Sequence, residues 1–274
     1  MTLTHRTLDR PGCTLHYRIG GPRDGVPVVF SHGATMDHRT WEPQAEVFAA
    51  RYRVLVWDVR GHGDSTPNRD PWTLAAAADD LLALLDHEGI ERAVLVGQSM
   101  GGNLSQEIVF RHPERAAALV ALGCAGNTLP ISRWERLQIR AVLRTLPLFP
   151  RGLLMSQQVR ASARDAGVRA YVRDAAGRME HRDMVAVMAS LVGALHPEPG
   201  YRIELPELLL RGEHDRLGNA RRMMPVWAER DPLARYVVVP DAAHLANQDN
   251  PVFFNETVLG FLAEHGLGPS EDRS

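Results

Sequence analysis

The chain has 274 residues, and not one of them is lysine; all 31 basic residues are arginine. Schiff-base and pyridoxal-phosphate enzymes need a lysine amine. A Walker A loop needs a Gly-Lys-Ser/Thr ending. Those chemistries are excluded. Cysteine is scarce, with only Cys13 and Cys124. Two are too few for a disulfide framework, and no Cys-x-x-Cys exists for zinc or redox work, so both are expected to be unpaired and buried. Neither sign of charge dominates: 31 basic residues face 33 acidic ones, a formal net charge of -2. That balance gives no reason to expect nucleic acid or an acidic membrane as partner. No stretch reaches about 18 consecutive apolar residues, so no membrane span is expected. The opening MTLTHRTLDR has no apolar run, so no signal peptide is expected either. The expectation is a cytoplasmic protein, monomer or homodimer. No His-Glu-x-x-His or comparable spacing is present, so neither a metal nor another cofactor is expected.

What is present has a rhythm. Two short alternating runs flank Asp9-Arg10-Pro11-Gly12, which reads as a β-hairpin. Short apolar strands then alternate with helical periodicity. Strands are expected at Val26–Phe30, Arg53–Trp57, Ala93–Val96 and Ala116–Leu122, with helices over 40–50, 73–88 and 100–111. Continuous apolar strands between helices predict a mostly parallel sheet with helices on both faces, an α/β fold. From about 128 to 199 the rhythm stops. That stretch reads as helices over 131–145, 153–177 with a break near Gly167, and 181–195. Strand and helix return at Glu207–Leu210, 219–230, Arg235–Val239 and Pro251–Glu264. The predicted organisation is a core of 1–127 and 200–274 with an inserted helical cap, 128–199, over the carboxyl ends of the strands.

The most informative segment is Val94-Leu95-Val96-Gly97-Gln98-Ser99-Met100-Gly101-Gly102. It holds Gly-x-Ser-x-Gly between an apolar strand and a helix, the context a nucleophile elbow requires. A serine on so sharp a turn needs small residues two positions before and after it, and Gly97 and Gly101 supply them. The turn also sets the hydroxyl at a helix N-terminus, which favours negative charge.

With that segment, the chain resembles the α/β-hydrolase superfamily over nearly its whole length. Val28-Val29-Phe30-Ser31-His32-Gly33 resembles the family's oxyanion loop, and Asp58-Val59-Arg60-Gly61-His62-Gly63-Asp64-Ser65 its Gly-His-Gly-x-Ser loop. The resemblance implies the order nucleophile, acid, histidine. It makes Ser99 the nucleophile and His244, in the loop between the last strand and the last helix, the base. It makes Asp215 the acid, through a Gly-x-x-Asp pattern at Gly212, with Glu213 as a weaker alternative. It implies an oxyanion hole formed by the backbone N–H groups of Ala34 and Met100. It gives His32, Asp58 and His62 loop-shaping roles. The adjacent carboxylates Asp79 and Asp80 point to different sides of a helix.

The cap is rich in apolar residues (Leu137, Ile139, Val142, Leu143, Leu146, Leu148, Phe149, Met179, Met184, Met188) and in arginine (Arg133, Arg136, Arg140, Arg144, Arg151, Arg160, Arg164). Most are expected to serve packing or solvation. Trp134 and Leu245 are the expected substrate contacts. The implied activity is hydrolysis of a small-to-medium carboxylic ester or lactone through an acyl-enzyme on Ser99. Acyl transfer, perhydrolysis, C–C bond hydrolysis and a receptor role with an intact triad remain open alternatives. Relatives that open epoxides or remove halide use an aspartate nucleophile; here the position is Ser99.

Overall fold

The computed structural model describes residues 3–269, apart from the side chains of Arg133, Arg136, Arg140, Leu143 and Leu146. The expectations for those five side chains and for the last residues of the tail fall outside it. Thr4–Arg10 (β1) and Cys13–Gly20 (β2) pair antiparallel across Pro11 and Gly12. Gly12 turns the chain at φ 74°, where a side chain would be strained. Six further strands follow: Pro27–Ser31 (β3), Arg53–Trp57 (β4), Ala93–Gln98 (β5), Ala116–Leu122 (β6), Glu207–Gly212 (β7) and Ala234–Val239 (β8). They form one eight-stranded sheet in the order β1-β2-β4-β3-β5-β6-β7-β8. β2 runs antiparallel to β4, and β3 to β8 are parallel.

Side chains alternate between the two faces of each strand, so each face gathers its own core. Val29, Leu55, Leu95, Leu119 and Leu209 belong to one apolar cluster. Leu74–His87 (α2), Met100–Arg111 (α3) and Ala220–Arg230 (α8) pack there through Leu81, Leu104 and Trp227. Val28, Phe30, Val94, Val96 and Leu210 belong to the other cluster, with Phe48 of Glu42–Ala49 (α1) and Phe254 and Phe261 of Pro251–Glu264 (α10). The short helix Ala246–Asp249 (α9) leads into α10. The α2 carboxylates do diverge. Asp79 pairs with Arg111 at the surface, while buried Asp80 takes hydrogen bonds from Arg60 and Arg10.

Between β6 and β7 lie four helices: Arg133–Thr145 (α4), Arg151–Ser162 (α5), Ala166–Arg178 (α6) and His181–Gly193 (α7). The two ends of this segment are tied together: His196 N–H donates to Asn127 O at 3.0 Å and Glu198 N–H to Thr128 O at 2.9 Å. The segment therefore leaves and rejoins the core at one place. The break expected near Gly167 falls earlier, at residues 163–165. Asp249 causes it: its carboxylate accepts the Arg164 and Asp165 N–H groups. Asp165 then caps α6 by accepting from Val168 N–H at 2.9 Å. Among the described residues, no helix is long and apolar enough to cross a membrane.

Candidate active site

β3 and β5 are neighbours, yet the chain leaves them toward opposite edges of the sheet, β3 to β4 and β5 to β6. Such a switch point opens a crevice at the carboxyl ends of the strands. Ser99 follows β5 there at φ 50° and ψ -113°, a strained conformation for a non-glycine residue. The elbow is tight. A Cβ on Gly97 would collide with the Gly101 carbonyl, and one on Gly101 would collide with Ser31 O. Ser99 N–H is held by Leu122 O at 2.8 Å. Met100 begins α3, so its N–H belongs to the first turn, whose donors lack intrahelical partners. From β3, the loop through His32 and Gly33 comes alongside: a Cβ on Gly33 would sit 3.4 Å from that of Ser99.

Asp215 and His244 come from the loops after β7 and β8, and those loops are zipped together. Glu213 N–H donates to Val239 O at 2.9 Å and His214 N–H to Ala242 O at 2.8 Å. His244 Nδ1 lies 3.0 Å from Asp215 Oδ2. A carboxylate only accepts, so Nδ1 carries the proton and Nε2 keeps its lone pair. Asp215 is 2% exposed and His244 7% exposed. The second carboxylate oxygen accepts Leu217 N–H at 2.9 Å. Glu213 is turned elsewhere, accepting Asp241 N–H at 3.1 Å, which decides between the two carboxylates. Gly123, at φ 61°, closes the arrangement from β6. A Cβ there would lie 3.1 Å from His244 Nδ1 and 3.2 Å from Asp215 Oδ2.

Ser99, His244 and Ala34 line one cavity of about 560 Å³. Its far wall is supplied by the helical segment: Leu154 and Gln158 of α5, and Met184, Met188 and Leu191 of α7.

This constellation agrees with a match to the sequence model of the alpha/beta hydrolase family over residues 28–257. The chain belongs to that family. The enol-lactonase of Burkholderia xenovorans LB400 superposes with a TM-score of 0.79 at 28% identity, covering 94% of this chain and 99% of that one. A thermophilic esterase of Thermogutta terrifontis gives a TM-score of 0.79 at 25% identity, covering 97% and 99%. Epoxide hydrolase 3 of Xenopus tropicalis is 28% identical over 282 residues, 93% of this chain and 76% of its own. One curated relative that aligns with 91% of this chain is covered over 66% of its own length, and another that aligns with 90% is covered over 95%.

In this α/β hydrolase the loop-shaping residues sit where their role requires. His32 donates through Nδ1 to Gly33 O at 2.8 Å and accepts Val59 N–H on Nε2 at 3.0 Å, joining the two loops. Burial lowers its pKa and keeps the ring neutral. Burial also dominates at His62, with the His32 ring adding to it, and its pKa falls to about 3. Burial alone would raise the Asp58 carboxyl. Hydrogen bonds from His38 and from the Asp64 N–H outweigh it and hold the pKa at about 2.

Trp134 and Leu245 do not meet the expectation placed on them. Trp134 is 67% exposed, projecting from α4 into solvent, and does not line the cavity. Leu245 is fully buried behind His244, in a small apolar cluster with Met36, Val159 and Val172. Met100 too is buried, and its side chain does not line the cavity. Arg151, among the cap arginines, donates to the Gly177 and Met179 carbonyls at the end of α6, 2.8 Å each.

Sequence reasoning missed Thr35, Asn103, Cys124 and Gln158, all of which line the cavity. Cys124 is no rival nucleophile: burial, then the Asp215 charge, pushes its thiol up to about 12. Among the described residues, three groups bring possible metal ligands within 4.8 Å of one another: His5–His16–Asp64, His38–Asp58–Asp64 and Glu213–His214–Asp241. None includes Ser99, Asp215 or His244.

Proposed function

We propose that this protein is a serine hydrolase that cleaves small-to-medium carboxylic esters or lactones through an acyl-enzyme on Ser99. The observation that carries the reading is the shared cavity. A strained serine and a histidine oriented by Asp215 open onto one apolar chamber beside the N-terminus of α3.

In this mechanism His244 Nε2 takes the Ser99 proton as Oγ attacks the carbonyl carbon. The carbonyl oxygen becomes an oxyanion, stabilised by the Ala34 and Met100 N–H groups. Asp215 holds the tautomer and stabilises the imidazolium. Collapse breaks the bond to the alcohol oxygen, which takes the proton from His244. Water, deprotonated by the same histidine, then attacks the acyl-serine; the bond to Ser99 Oγ breaks, the histidine returns the proton to that oxygen, and the acid is released. For a lactone, alcohol and acid leave as one molecule. A serine at the elbow separates this chain from aspartate-based epoxide opening. Leu154, Met184, Leu191 and Val192 suit an apolar acyl or alcohol group, and about 560 Å³ limits its size.

The test is turnover of p-nitrophenyl esters and lactones of graded length, with mass-spectrometric mapping after treatment with a fluorophosphonate. Multiple turnover, and a single phosphonylated residue at Ser99, are expected. Labelling at another serine, or one slow acylation without turnover, would overturn the reading, the latter in favour of a receptor.

A further inference from the structure

The oxyanion loop is held from outside the core. Thr35, next to Ala34, has φ 65°. A β-branched residue in the left-handed region is strained and persists only where its surroundings over-determine it. Its Oγ1 accepts a hydrogen bond of 2.5 Å from Gln158 Nε2, and Gln158 belongs to α5 of the helical segment. Further along the loop, Met36 is buried against Val159 of α5, Val172 of α6 and Leu245. The Tyr171 hydroxyl, on α6, lies 3.3 Å from Asp37 N, which donates to it, and 2.8 Å from Thr40 Oγ1. The same α5 reaches the histidine loop: Leu245 N–H donates to Ser162 O at 2.7 Å. One helix outside the sheet thus touches both the loop of the oxyanion donor and the residue after His244.

We infer that α5 braces the active site and that Gln158 is a positioning residue which, through the Thr35 hydroxyl, aims the Ala34 N–H at the oxyanion. This rests on the serine-hydrolase reading above. The strained φ of Thr35 sets the direction of the loop beside Ser99, and the amide of Gln158 is the side-chain tie that opposes its relaxation. Without that tie the loop relaxes and the Ala34 N–H turns away. The ground-state carbonyl is a weaker acceptor than the oxyanion, so the loss falls on the transition state. The helical segment then serves the chemical step as well as substrate choice.

The experiment compares Gln158→Leu, Thr35→Val, Thr35→Ser and the Gln158→Leu/Thr35→Val double variant on the acetate ester, with fluorophosphonate labelling of Ser99 in parallel. Gln158→Leu and Thr35→Val should each lower kcat by roughly 10- to 100-fold with KM unchanged, a partial loss of one oxyanion donor. The double variant should be no slower than the slower single one, because both remove the same interaction. Thr35→Ser keeps the hydroxyl and should lose less than Thr35→Val. A shift in KM at constant kcat would make Gln158 a ligand contact and overturn the inference; so would losses that multiply in the double variant. If Ser99 labels normally, Ser99→Ala is inactive and Gln158→Leu is as fast as wild type, the brace alone is wrong. If Ser99 does not label, the hydrolase reading fails and takes the brace with it. Should Gln158→Leu fail to fold, Thr35→Val tests the same bond from the core side.

Discussion

Every residue of β5 and of β7 is buried, whereas on α4 and the turn after it Trp134, Leu137, Val142 and Leu148 stand exposed. Residues of these inner strands are packed from both faces, so each has one acceptable size and direction. Helices of the inserted segment are packed from one side, and the side that meets the core lines the cavity. On the proposed reading, chemistry is set where packing leaves no freedom, and substrate choice where it leaves some. The hydrogen bond from Gln158 to Thr35 is where the division blurs.

The largest expected effect tests the core side. Ser99→Ala should lower kcat by about 10⁴- to 10⁶-fold with the fold intact by circular dichroism. Ser99→Gly should be equally inactive yet melt at a higher temperature, since glycine accepts φ 50° without strain. A serine variant retaining a tenth of the activity would move the nucleophile elsewhere. Next, Asp215→Asn should cost about 10⁴-fold in kcat. Glu213→Gln should leave kcat unchanged. The reverse result would show that the loops after β7 and β8 rearrange when substrate binds.

Stability sharpens the same contrast. Leu95→Ala in β5 should cost about 2–5 kcal/mol in urea unfolding, while Leu137→Ala on α4 should stay within about 0.5 kcal/mol. Equal losses would mean that the exposed face of α4 is covered in solution. Acid should act through the core. His62 is held to about 3 from an ordinary 6.5, so between those values the unfolded chain binds a proton that the folded chain refuses. Stability therefore falls as pH drops below 6.5, by about 1.4 kcal/mol per unit from this group. His62→Gln should flatten that slope in melts from pH 7 to 4, and an unchanged slope would assign it to other groups. The smallest effects are expected at positions of the inserted segment that do not touch the oxyanion loop. Met184→Ala, at the cavity wall, should shift preference toward longer acyl chains in kcat/KM from acetate to octanoate. Trp134→Ala should leave that profile as it is, and a shift there would mean that α4 closes over the ligand.

Much of this was legible in the chain itself. The Ser99 elbow is a local motif, written in neighbours two residues away, and continuous apolar strands alternating with helices pointed to a mostly parallel sheet covered on both faces. Glu213 and Asp215 could not be separated with the same certainty, because what divides them is the zipper of Glu213 and His214 N–H groups onto Val239 and Ala242. Trp134 misled for a related reason. Helical periodicity says that α4 has an apolar side, but not whether anything covers it. The break between α5 and α6 was misplaced because Asp249, far along the chain, makes it.

The sequence by itself determined the alternation of strand and helix and the glycine-flanked turn at Ser99, because these depend on a repeating pattern and on neighbours a few residues away. The acid and base candidates, Asp215 and His244, came from the family resemblance. Only the tertiary structure decided which carboxylate faces His244, which wall of the cavity each helix supplies, and that Gln158 reaches Thr35 across 123 positions. Such contacts are made where separate loops converge at the end of a sheet, and no local spacing encodes the distance between them.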